Sequence, residues 1–216
     1  MSFDHNDHYH GLLLRHLPEN CRRALDVGCG TGSFARKLAA RGIDVDALDP
    51  AGTAIGTARS LATDPAHAAR IRWRRADITA TALPSGTYDY ISCLASIHHV
   101  PFDTVEKLRE ALSPGGVLVI LGCYRESTPS DRLIGLAAVP VNAVCRVVTW
   151  IRERLGLKKD ISRPSVTARP PMTLPEMAAG ARVLLPGSTI RRLLFWRCLL
   201  VYRKPLPGRD GEGAGE

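Results

Sequence analysis

Three glycines at alternate positions, Gly28, Gly30 and Gly32, form the segment of this chain best suited to hold a small ligand. They follow a short strand-like run at residues 23–27 and precede a helical pattern that begins at Ser33. Because glycine has no Cβ, the backbone there can turn sharply and approach a ligand closely. The helix that follows adds free N–H groups and a partial positive charge. The loop therefore predicts a binding site for a nucleotide or a nucleoside.

Two classes of cofactor use a glycine loop of this kind, and the neighbouring residues favour one of them. The dinucleotide fingerprint G-x-G-x-x-G requires glycine where this chain has Ser33. Asp26, two residues before Gly28, would repel a pyrophosphate, whereas it would attract the ammonium group of an amino-acid ligand. We therefore expect a nucleoside that carries an amino acid. A dinucleotide, and a tight turn that binds nothing, are the alternatives.

Two further carboxylates stand where they could hold a nucleoside. Asp49 ends the second strand-like run, 21 residues after Gly28, and a carboxylate there can accept hydrogen bonds from both ribose hydroxyls. Enzymes that use NAD share this feature. Asp77 and Ile78 follow the third run and offer an acceptor for an exocyclic amine and an apolar wall for adenine. The alternative for Asp77 is a turn or helix-capping residue ahead of Thr79.

Two adjacent histidines, His98 and His99, are the candidate proton acceptors. They follow the fourth strand-like run, at the carboxyl edge of a parallel sheet, where ligands bind. A histidine titrates near neutrality and can take a proton from a phenol, a carboxylic acid or an acidic carbon. The alternative is that one of the pair caps a turn or packs in the core.

Alternating strand and helix patterns place these residues at one edge of a sheet, which predicts a doubly wound parallel fold. The arginine-rich run at 71–75 is expected near a sheet edge, and the Ser113–Gly116 segment is expected to end a helix in a turn. The last two runs are expected to form an antiparallel edge. The strand patterns are 23–27, 43–48, 71–75, 88–94, 117–121, 189–196 and 198–202, and the helix patterns are 33–41, 53–62, 104–112 and 174–181.

The segments that carry these residues resemble the class I S-adenosylmethionine (SAM)-dependent methyltransferases. The resemblance covers about residues 8–122 and 174–205, and the ending is similar to the last two strands of small-molecule members. It implies a Rossmann-like, mostly parallel sheet of seven strands with an antiparallel edge strand, and SAM as the cofactor. The matching motifs, in the family's order, are ALDVGCGTG at 24–32, Asp49, RADI at 75–78, YDYIS at 88–92 and the LSPGG turn at 112–116.

The resemblance also implies a set of cofactor-binding residues. Asp26, Gly28 and Gly30 would hold the methionine part, and the carboxylates after the second and third strands would keep the ribose and adenine roles. Leu94 would face the cofactor, and Tyr9 would lie in an N-terminal helix that covers it. The implied set is Tyr9, Asp26, Gly28, Cys29, Gly30, Gly32, Asp49, Pro50, Asp77, Ile78 and Leu94.

Residues 124–172 depart from the minimal family pattern, and we expect them to form a helical insertion that caps the substrate side. Apolar side chains recur at helical spacing within 133–157, which predicts an amphipathic helix. Such a cap favours a lipophilic acceptor, but the helix could instead pack on the core or lie on an anionic membrane surface. We expect one domain over residues 1–204 and a disordered tail over 205–216.

Charge is uneven along the chain. The net charge is +8, and residues 123–204 alone carry 15 basic and five acidic side chains. An excess of this kind indicates an acidic substrate, a membrane surface, nucleic acid or a solvated basic face.

Several other classes of site and partner are disfavoured. The six cysteines form no CxxC pair, so neither zinc nor a disulfide framework is indicated, and a metal cluster of N-terminal histidines is weakly supported. The polar N-terminus lacks a secretory pattern, which favours the cytoplasm. Residues 93–96 replace the Asp/Asn-Pro-Pro-aromatic motif of enzymes that methylate amino groups of nucleic acids, which disfavours nucleic acid.

The leading hypothesis is therefore a SAM-dependent methyltransferase that acts on oxygen or carbon, rather than nitrogen, of a small molecule. An NAD(P)-dependent oxidoreductase is the second hypothesis. The third is a non-catalytic protein that binds SAM or lies on a membrane through residues 133–157. The oligomeric state stays open.

Overall fold

A computed structural model describes residues 5–127, 170–194 and 197–206, with side chains from residue 7 onward. The described residues form one seven-stranded sheet with the strand order β3-β2-β1-β4-β5-β7-β6. The strands are β1 (Arg23–Val27), β2 (Asp44–Asp49), β3 (Ile71–Arg75), β4 (Tyr88–Leu94), β5 (Leu112–Cys123), β6 (Thr189–Arg192) and β7 (Arg197–Arg203).

The sheet confirms the predicted Rossmann-like class. Strands β3, β2, β1, β4 and β5 are parallel neighbours, and β7 is antiparallel to both β5 and β6. The arginine-rich β3 lies at one edge, as its sequence predicts. Strand order reverses between β1 and β4, and a crevice forms there at the carboxyl ends of parallel strands. The residues that follow β1, β2 and β4 therefore meet in one place.

Six helices accompany the sheet in the described residues: α1 (His5–Leu14), α2 (Ser33–Ala39), α3 (Gly52–Leu61), α4 (Pro65–Ala68), α5 (Thr104–Ala111) and α6 (Leu174–Leu184). A short 3-10 turn spans Ile97–His99. Helix α6 begins at a capping box in which the Thr173 and Glu176 side chains each bond the other's backbone N–H. At 11 residues it is the longest helix described, and none of these helices has the length and apolarity to cross a bilayer.

Two apolar layers cover the two faces of the sheet, because neighbouring strand residues point to opposite sides. On β4, Tyr90 packs in the layer that contains α1 and α2, and Ile91 packs in the layer that contains α5. The Tyr90 hydroxyl donates a hydrogen bond to the carbonyl of Leu13 at 3.0 Å. That bond fixes the end of α1 to the middle of the sheet.

The predicted turn at Ser113–Gly116 is wrong, because β5 already begins at Leu112. Leu112 pairs with Tyr88 of β4, and an irregularity in the register takes up the Pro-Gly-Gly segment. On the other side, Gly115 and Gly116 exchange backbone hydrogen bonds with Lys204. Strand pairing on both sides thus overrides the turn that the Pro-Gly-Gly sequence predicts.

Other boundaries differ by a few residues. Helix α6 continues three residues beyond its predicted end at 181, and β6 ends at Arg192, four residues before the predicted end. The predicted amphipathic helix at 133–157, most of the insertion 124–172, and residues 207–216 of the predicted tail lie outside the described residues.

Candidate functional site

The exit of β4 sets the shape of the crevice. Ala95 adopts a left-handed backbone with φ of 51°, which is uncommon for a residue with a side chain and typical of functional sites. This turn directs Ser96 towards β1, where its hydroxyl donates to the carbonyl of Val27 at 2.7 Å. The end of β4 is thereby fixed against the start of the glycine loop.

The three glycines of the loop have different surroundings. A Cβ on Gly28 would overlap the side chain of Ser96, and a Cβ on Gly32 would overlap the ring of Trp73. A Cβ on Gly30 would meet no described atom within 4 Å. Close packing therefore requires glycine at 28 and 32, whereas Gly30 presents its backbone to open space, as a ligand contact needs.

Four N–H groups of the loop are already used by the protein. Gly28 and Cys29 both donate to the carbonyl of Leu48, at 2.8 and 2.9 Å, and Gly32 donates to the carbonyl of Cys29 at 2.8 Å. Gly30 donates to Asp49 Oδ2 at 2.9 Å. A pyrophosphate site needs such N–H groups directed at the phosphate oxygens. The loop therefore disfavours the dinucleotide alternative.

Asp26 lies beneath the loop with 1% of its surface exposed. Its Oδ1 accepts a hydrogen bond from the Ser92 hydroxyl at 2.7 Å, while Oδ2 is buried and has no hydrogen-bond partner among the described residues. Burial raises its pKa from 3.8 to about 7, against the lowering effect of the Ser92 hydrogen bond. Much of this carboxyl group is therefore neutral at pH 7, and its Oδ2 can still accept a hydrogen bond from a ligand or pair with a cation.

Asp49 ends β2 and connects the loop to the next helix. Its Oδ2 accepts the Gly30 N–H, and its Oδ1 accepts the N–H of Ala51 at 2.8 Å. Each carboxylate oxygen can accept a second hydrogen bond, so capacity for ribose hydroxyls remains. Pro50 beside it is exposed.

Asp77 lies in the turn that was its alternative interpretation. Its Oδ1 accepts hydrogen bonds from the backbone N–H and the hydroxyl of Thr79, both at 2.8 Å, and the backbone bond is the main cause of its lowered pKa. Ile78 is buried. Lys107 donates to the carbonyls of Ile78 and Thr79, which fixes this loop against α5.

The N-terminal helix α1 runs between two parts of the site. The Tyr9 hydroxyl donates to the carbonyl of Leu194 at 2.9 Å, at the turn between β6 and β7. The Ser33 hydroxyl at the start of α2 donates to Asp7 at 2.9 Å. Helix α1 thus connects the start of α2 with the β6–β7 hairpin, and its role as a cover over the cofactor stays a prediction. Leu94 is half-buried at the end of β4.

The two histidines differ in their exposure to solvent. His98 is buried with 8% of its surface exposed, whereas His99 is exposed, and the two rings are tilted by 39° with centroids 4.0 Å apart. Neither ring nitrogen of His98 has a hydrogen-bond partner among the described residues. Burial, followed by the charges of His99 and Arg197, lowers the pKa of His98 from 6.5 to about 4. His98 is therefore neutral at pH 7, contrary to the expectation of titration near neutrality.

His98 lines an apolar cavity of about 190 Å³ at the carboxyl ends of β4 and β5. Methionine, aliphatic and aromatic side chains form most of the wall. The cavity is lined by Ile97, His98, Val100, Pro101, Phe102, Cys123, Pro171, Met172 and Met177. In the parts of the chain that the structure describes, no group of three or more His, Cys, Asp or Glu side chains could hold a metal.

Sequence reasoning missed several residues that shape this site. Ser92 is a polar residue inside an otherwise apolar strand, a signal that could have drawn attention to it. Ser96, Trp73 and Arg197 gave no such signal, because their importance depends on which strands are neighbours. The site therefore includes Ser92 beneath the loop and Arg197 beside the cavity, where it donates to Cys123 Sγ at 2.7 Å.

The residues present suit a nucleoside that carries an amino-acid group. Gly30 offers open backbone, Asp49 offers carboxylate oxygens at the end of β2, and Asp26 offers a buried oxygen without a donor. An ammonium group near Asp26 would favour its charged form. SAM has both the nucleoside and the ammonium group.

Comparisons with known proteins agree with this geometry. Residues 24–116 match a family model described as a methyltransferase domain. An uncharacterized methyltransferase of Mycobacterium tuberculosis is 34% identical over 208 residues, which cover 93% of this chain and 96% of that protein. The mitochondrial ubiquinone biosynthesis O-methyltransferase of Schizosaccharomyces pombe is 33% identical over 107 residues, 47% of this chain and 39% of its own length.

A solved structure shares the fold. Geranyl diphosphate C-methyltransferase of Streptomyces coelicolor, crystallised with Mg²⁺, geranyl diphosphate and S-adenosylhomocysteine, has a TM-score of 0.63 at 14% identity, and the match covers 92% of this chain and 79% of that one. With the sheet, the loop and a relative similar over nearly its whole length, the chain belongs to the class I SAM-dependent methyltransferases.

Proposed function

We propose that this methyltransferase acts on an oxygen or a carbon atom of a small, largely apolar molecule. One observation carries the proposal: His98 is buried, neutral at pH 7, and without a hydrogen-bond partner beside an apolar cavity at the carboxyl edge of the sheet. A buried polar group without a partner costs free energy unless a ligand satisfies it. An acceptor that donates a hydrogen bond to His98 would do so.

In this proposal the cofactor lies in the crevice between β1, β2 and β4. Asp26, with Gly28, Cys29, Gly30 and Gly32 above it, holds the methionine part. Asp49 and Pro50 hold the ribose, Asp77 and Ile78 hold adenine through groups not used in the Asx turn, and Leu94 and Tyr9 close the two sides. Support comes from the open face of Gly30 and from the position of α1 between the loop and the hairpin.

The chemistry needs few groups from the protein. When bound, SAM supplies an activated methyl group, which the acceptor atom takes as the carbon–sulfur bond breaks, leaving S-adenosylhomocysteine. His98 accepts the acceptor's proton, and the apolar wall excludes water from the cavity. His99 is exposed, and its ring lies against the ring of His98 with centroids 4.0 Å apart.

Two relatives support the class of acceptor. One bears the name of an O-methyltransferase of ubiquinone biosynthesis, and the other of a C-methyltransferase of geranyl diphosphate. The first name indicates methylation on oxygen, and the second indicates methylation on carbon of a small molecule that joins an apolar chain to a charged diphosphate. We extend to this chain the class and not the compounds.

The organisation of the chain completes the proposal. We extend it to one catalytic domain over residues 1–204. Cys123 and Met172, at the two ends of the insertion 124–172, both line the cavity, which supports the proposal that the insertion caps the substrate side. Peripheral membrane contact through 133–157 is a second role that the basic, apolar composition allows. Location in the cytoplasm stays a prediction.

Isotope transfer tests the proposal. The purified protein is incubated with SAM that carries a CD₃ group and with an extract of small molecules, and the products are separated into organic-soluble and macromolecular fractions. We expect the label in small organic-soluble products, and much less with His98→Gln. Label confined to protein or nucleic acid, or product formation unaffected by His98→Gln, would contradict the proposal.

A further inference from the structure

Carboxyl groups lie near the strand ends in one half of the sheet, and arginines lie near those in the other half. On the side of β1, β2 and β3 the carboxyl groups are Asp26, Asp49 and Asp77, which the proposed function assigns to the cofactor. Arg75 also ends β3, but its side chain packs across Gly52 at the start of α3. This half suits a cofactor with a sulfonium and an ammonium group.

Arginines occupy the other half. Arg125 follows β5, Arg192 ends β6 and Arg197 begins β7. Because β7 is antiparallel to its neighbours, its first residue lies at the same edge as the last residues of β5 and β6. The basic excess in residues 123–204 is thus brought in part to the edge that holds the cavity.

Arg197 is the member closest to the proposed chemistry. Its guanidinium donates to Cys123 Sγ at 2.7 Å, and Cys123 and His98 both line the cavity. Its charge is one of the causes that lower the pKa of His98, and it opposes the raised pKa of Tyr9. Arg125 lies 3.7 Å from Glu176 and Arg192 lies over the ring of Tyr124, and neither Glu176 nor Tyr124 lines the cavity.

We propose that the acceptor carries an anionic group, a carboxylate or a phosphate, and that Arg197 binds that group at the end of the apolar cavity. The inference rests on the proposed function and adds the charge of the acceptor. A planar guanidinium binds carboxylate and phosphate oxygens with two parallel hydrogen bonds and so fixes their orientation. A bound anion would orient the acceptor atom towards His98.

A bound anion would also increase the low proton affinity of His98. With a pKa of about 4 the imidazole has little affinity for a proton at neutral pH, and the charge of Arg197 is one cause. An anion paired with Arg197 would offset that charge and raise the proton affinity of His98 when the acceptor is bound. Proton transfer would then depend on binding of the correct substrate.

Matched eight-carbon probes test the inference. Octanoate, octan-1-ol and octylamine are titrated into the protein saturated with S-adenosylhomocysteine, so that no transfer occurs, and affinities are measured by ligand-observed NMR. We expect octanoate to bind about tenfold more tightly than octan-1-ol, since hydrogen bonds to charged groups contribute that much. Octylamine should bind most weakly.

Two variants test whether Arg197 is responsible for the tighter binding of octanoate. Arg197→Met should remove the advantage of octanoate and leave affinity for S-adenosylhomocysteine unchanged, while Arg197→Lys should keep part of it. Arg203→Met, at the opposite end of the same strand, is the control and should behave as the unaltered protein. Equal binding of octanoate and octan-1-ol by the unaltered protein, or tighter binding of octylamine, would overturn the inference even if Arg197→Met failed to fold. Loss of S-adenosylhomocysteine binding itself would instead count against the proposed cofactor site.

Discussion

Ser92 Oγ donates a hydrogen bond to Asp26 Oδ1 at 2.7 Å, directly across the β1–β4 pair in which these two residues are register partners. Both are buried, and the second carboxyl oxygen of Asp26 has no hydrogen-bond partner among the described residues. The strands thus hold a carboxyl group under the glycine loop at a cost to stability. Because burial disfavours the charged carboxylate, the charge state of Asp26 depends on pH and on whether a cation is bound.

Asp26→Asn should stabilise the ligand-free protein in a pH-dependent way. The folded pKa of about 7 lies above the ordinary 3.8, so the neutral form is favoured on folding and stability falls as pH rises from 4 to 7. Above pH 7 the loss reaches at most about 4 kcal/mol, from the difference in pKa at 1.36 kcal/mol per unit. Asparagine avoids this loss. Urea unfolding at pH 5, 6, 7 and 8 should show an advantage that grows with pH.

The same variant should bind S-adenosylhomocysteine less tightly, because the ammonium group loses its anionic partner. Asp44→Asn, at an exposed carboxylate paired with Arg70, is the control and should show neither effect. A stability difference that stayed constant from pH 5 to pH 8 would contradict the raised pKa of Asp26.

Ser92→Ala should raise the pKa of Asp26 further, since the serine hydrogen bond favours the charged carboxylate. If the ammonium group needs that charge, affinity for S-adenosylhomocysteine should reach half of its maximum at a higher pH in the variant. Calorimetric titrations from pH 6 to pH 9 measure this midpoint. Parallel affinity curves that differ by a constant factor would show that Ser92 merely packs. Ser92→Thr, which keeps the hydroxyl, should leave the midpoint in place.

Much of this fold could be predicted from the sequence, because its signals are local. Short apolar runs predict the seven strands along the chain, and Gly28, Gly30 and Gly32 predict the loop, whereas the order of the strands within the sheet comes from the structure. The Pro-Gly-Gly segment after Leu112 predicts a turn but lies in β5, since pairing with β4 and β7 decides its conformation. The residues within this segment do not reveal which strands pair with it.

The site was less predictable for the same physical reason. The burial of Asp26 follows from the strands around β1, and its contact with Ser92 follows from the register of β4. The sequence presents His98 and His99 as equivalent neighbours, and the 3-10 turn at Ile97–His99 decides which ring is buried. Arg197 lies 99 positions from His98 in the chain and reaches the cavity through the antiparallel pairing of β7 with β5.

Substitutions at the three loop glycines should separate folding from cofactor binding. Gly30→Ala meets open space and bears strain from its φ of 54°, about 1 kcal/mol for a left-handed residue, so the protein should still fold. Its affinity for S-adenosylhomocysteine should fall at least about tenfold, because the new methyl group occupies the ligand side of the loop. Gly28→Ala and Gly32→Ala should lower the melting temperature much more. Similar melting temperatures for all three variants would contradict this division.

His98→Gln and His99→Gln should differ in their effects on catalysis. Glutamine keeps hydrogen bonding at position 98 but cannot take up a proton, so kcat should fall by about 10² to 10⁴ with an acceptor identified by isotope transfer. His99→Gln should keep most of the activity, because that ring is exposed. Equal losses of activity in the two variants would remove His98 from its role as the base.

The pH dependence of catalysis tests the same residue. In the free enzyme the lowered pKa means that His98 stays neutral until the pH nears 4, so kcat/KM should show no loss from its protonation between pH 8 and pH 5. An anionic acceptor that raises the pKa of His98 when bound would move the acid limb of kcat above that of kcat/KM. The same pH profile for kcat and kcat/KM would mean that binding of the acceptor does not alter the pKa of His98.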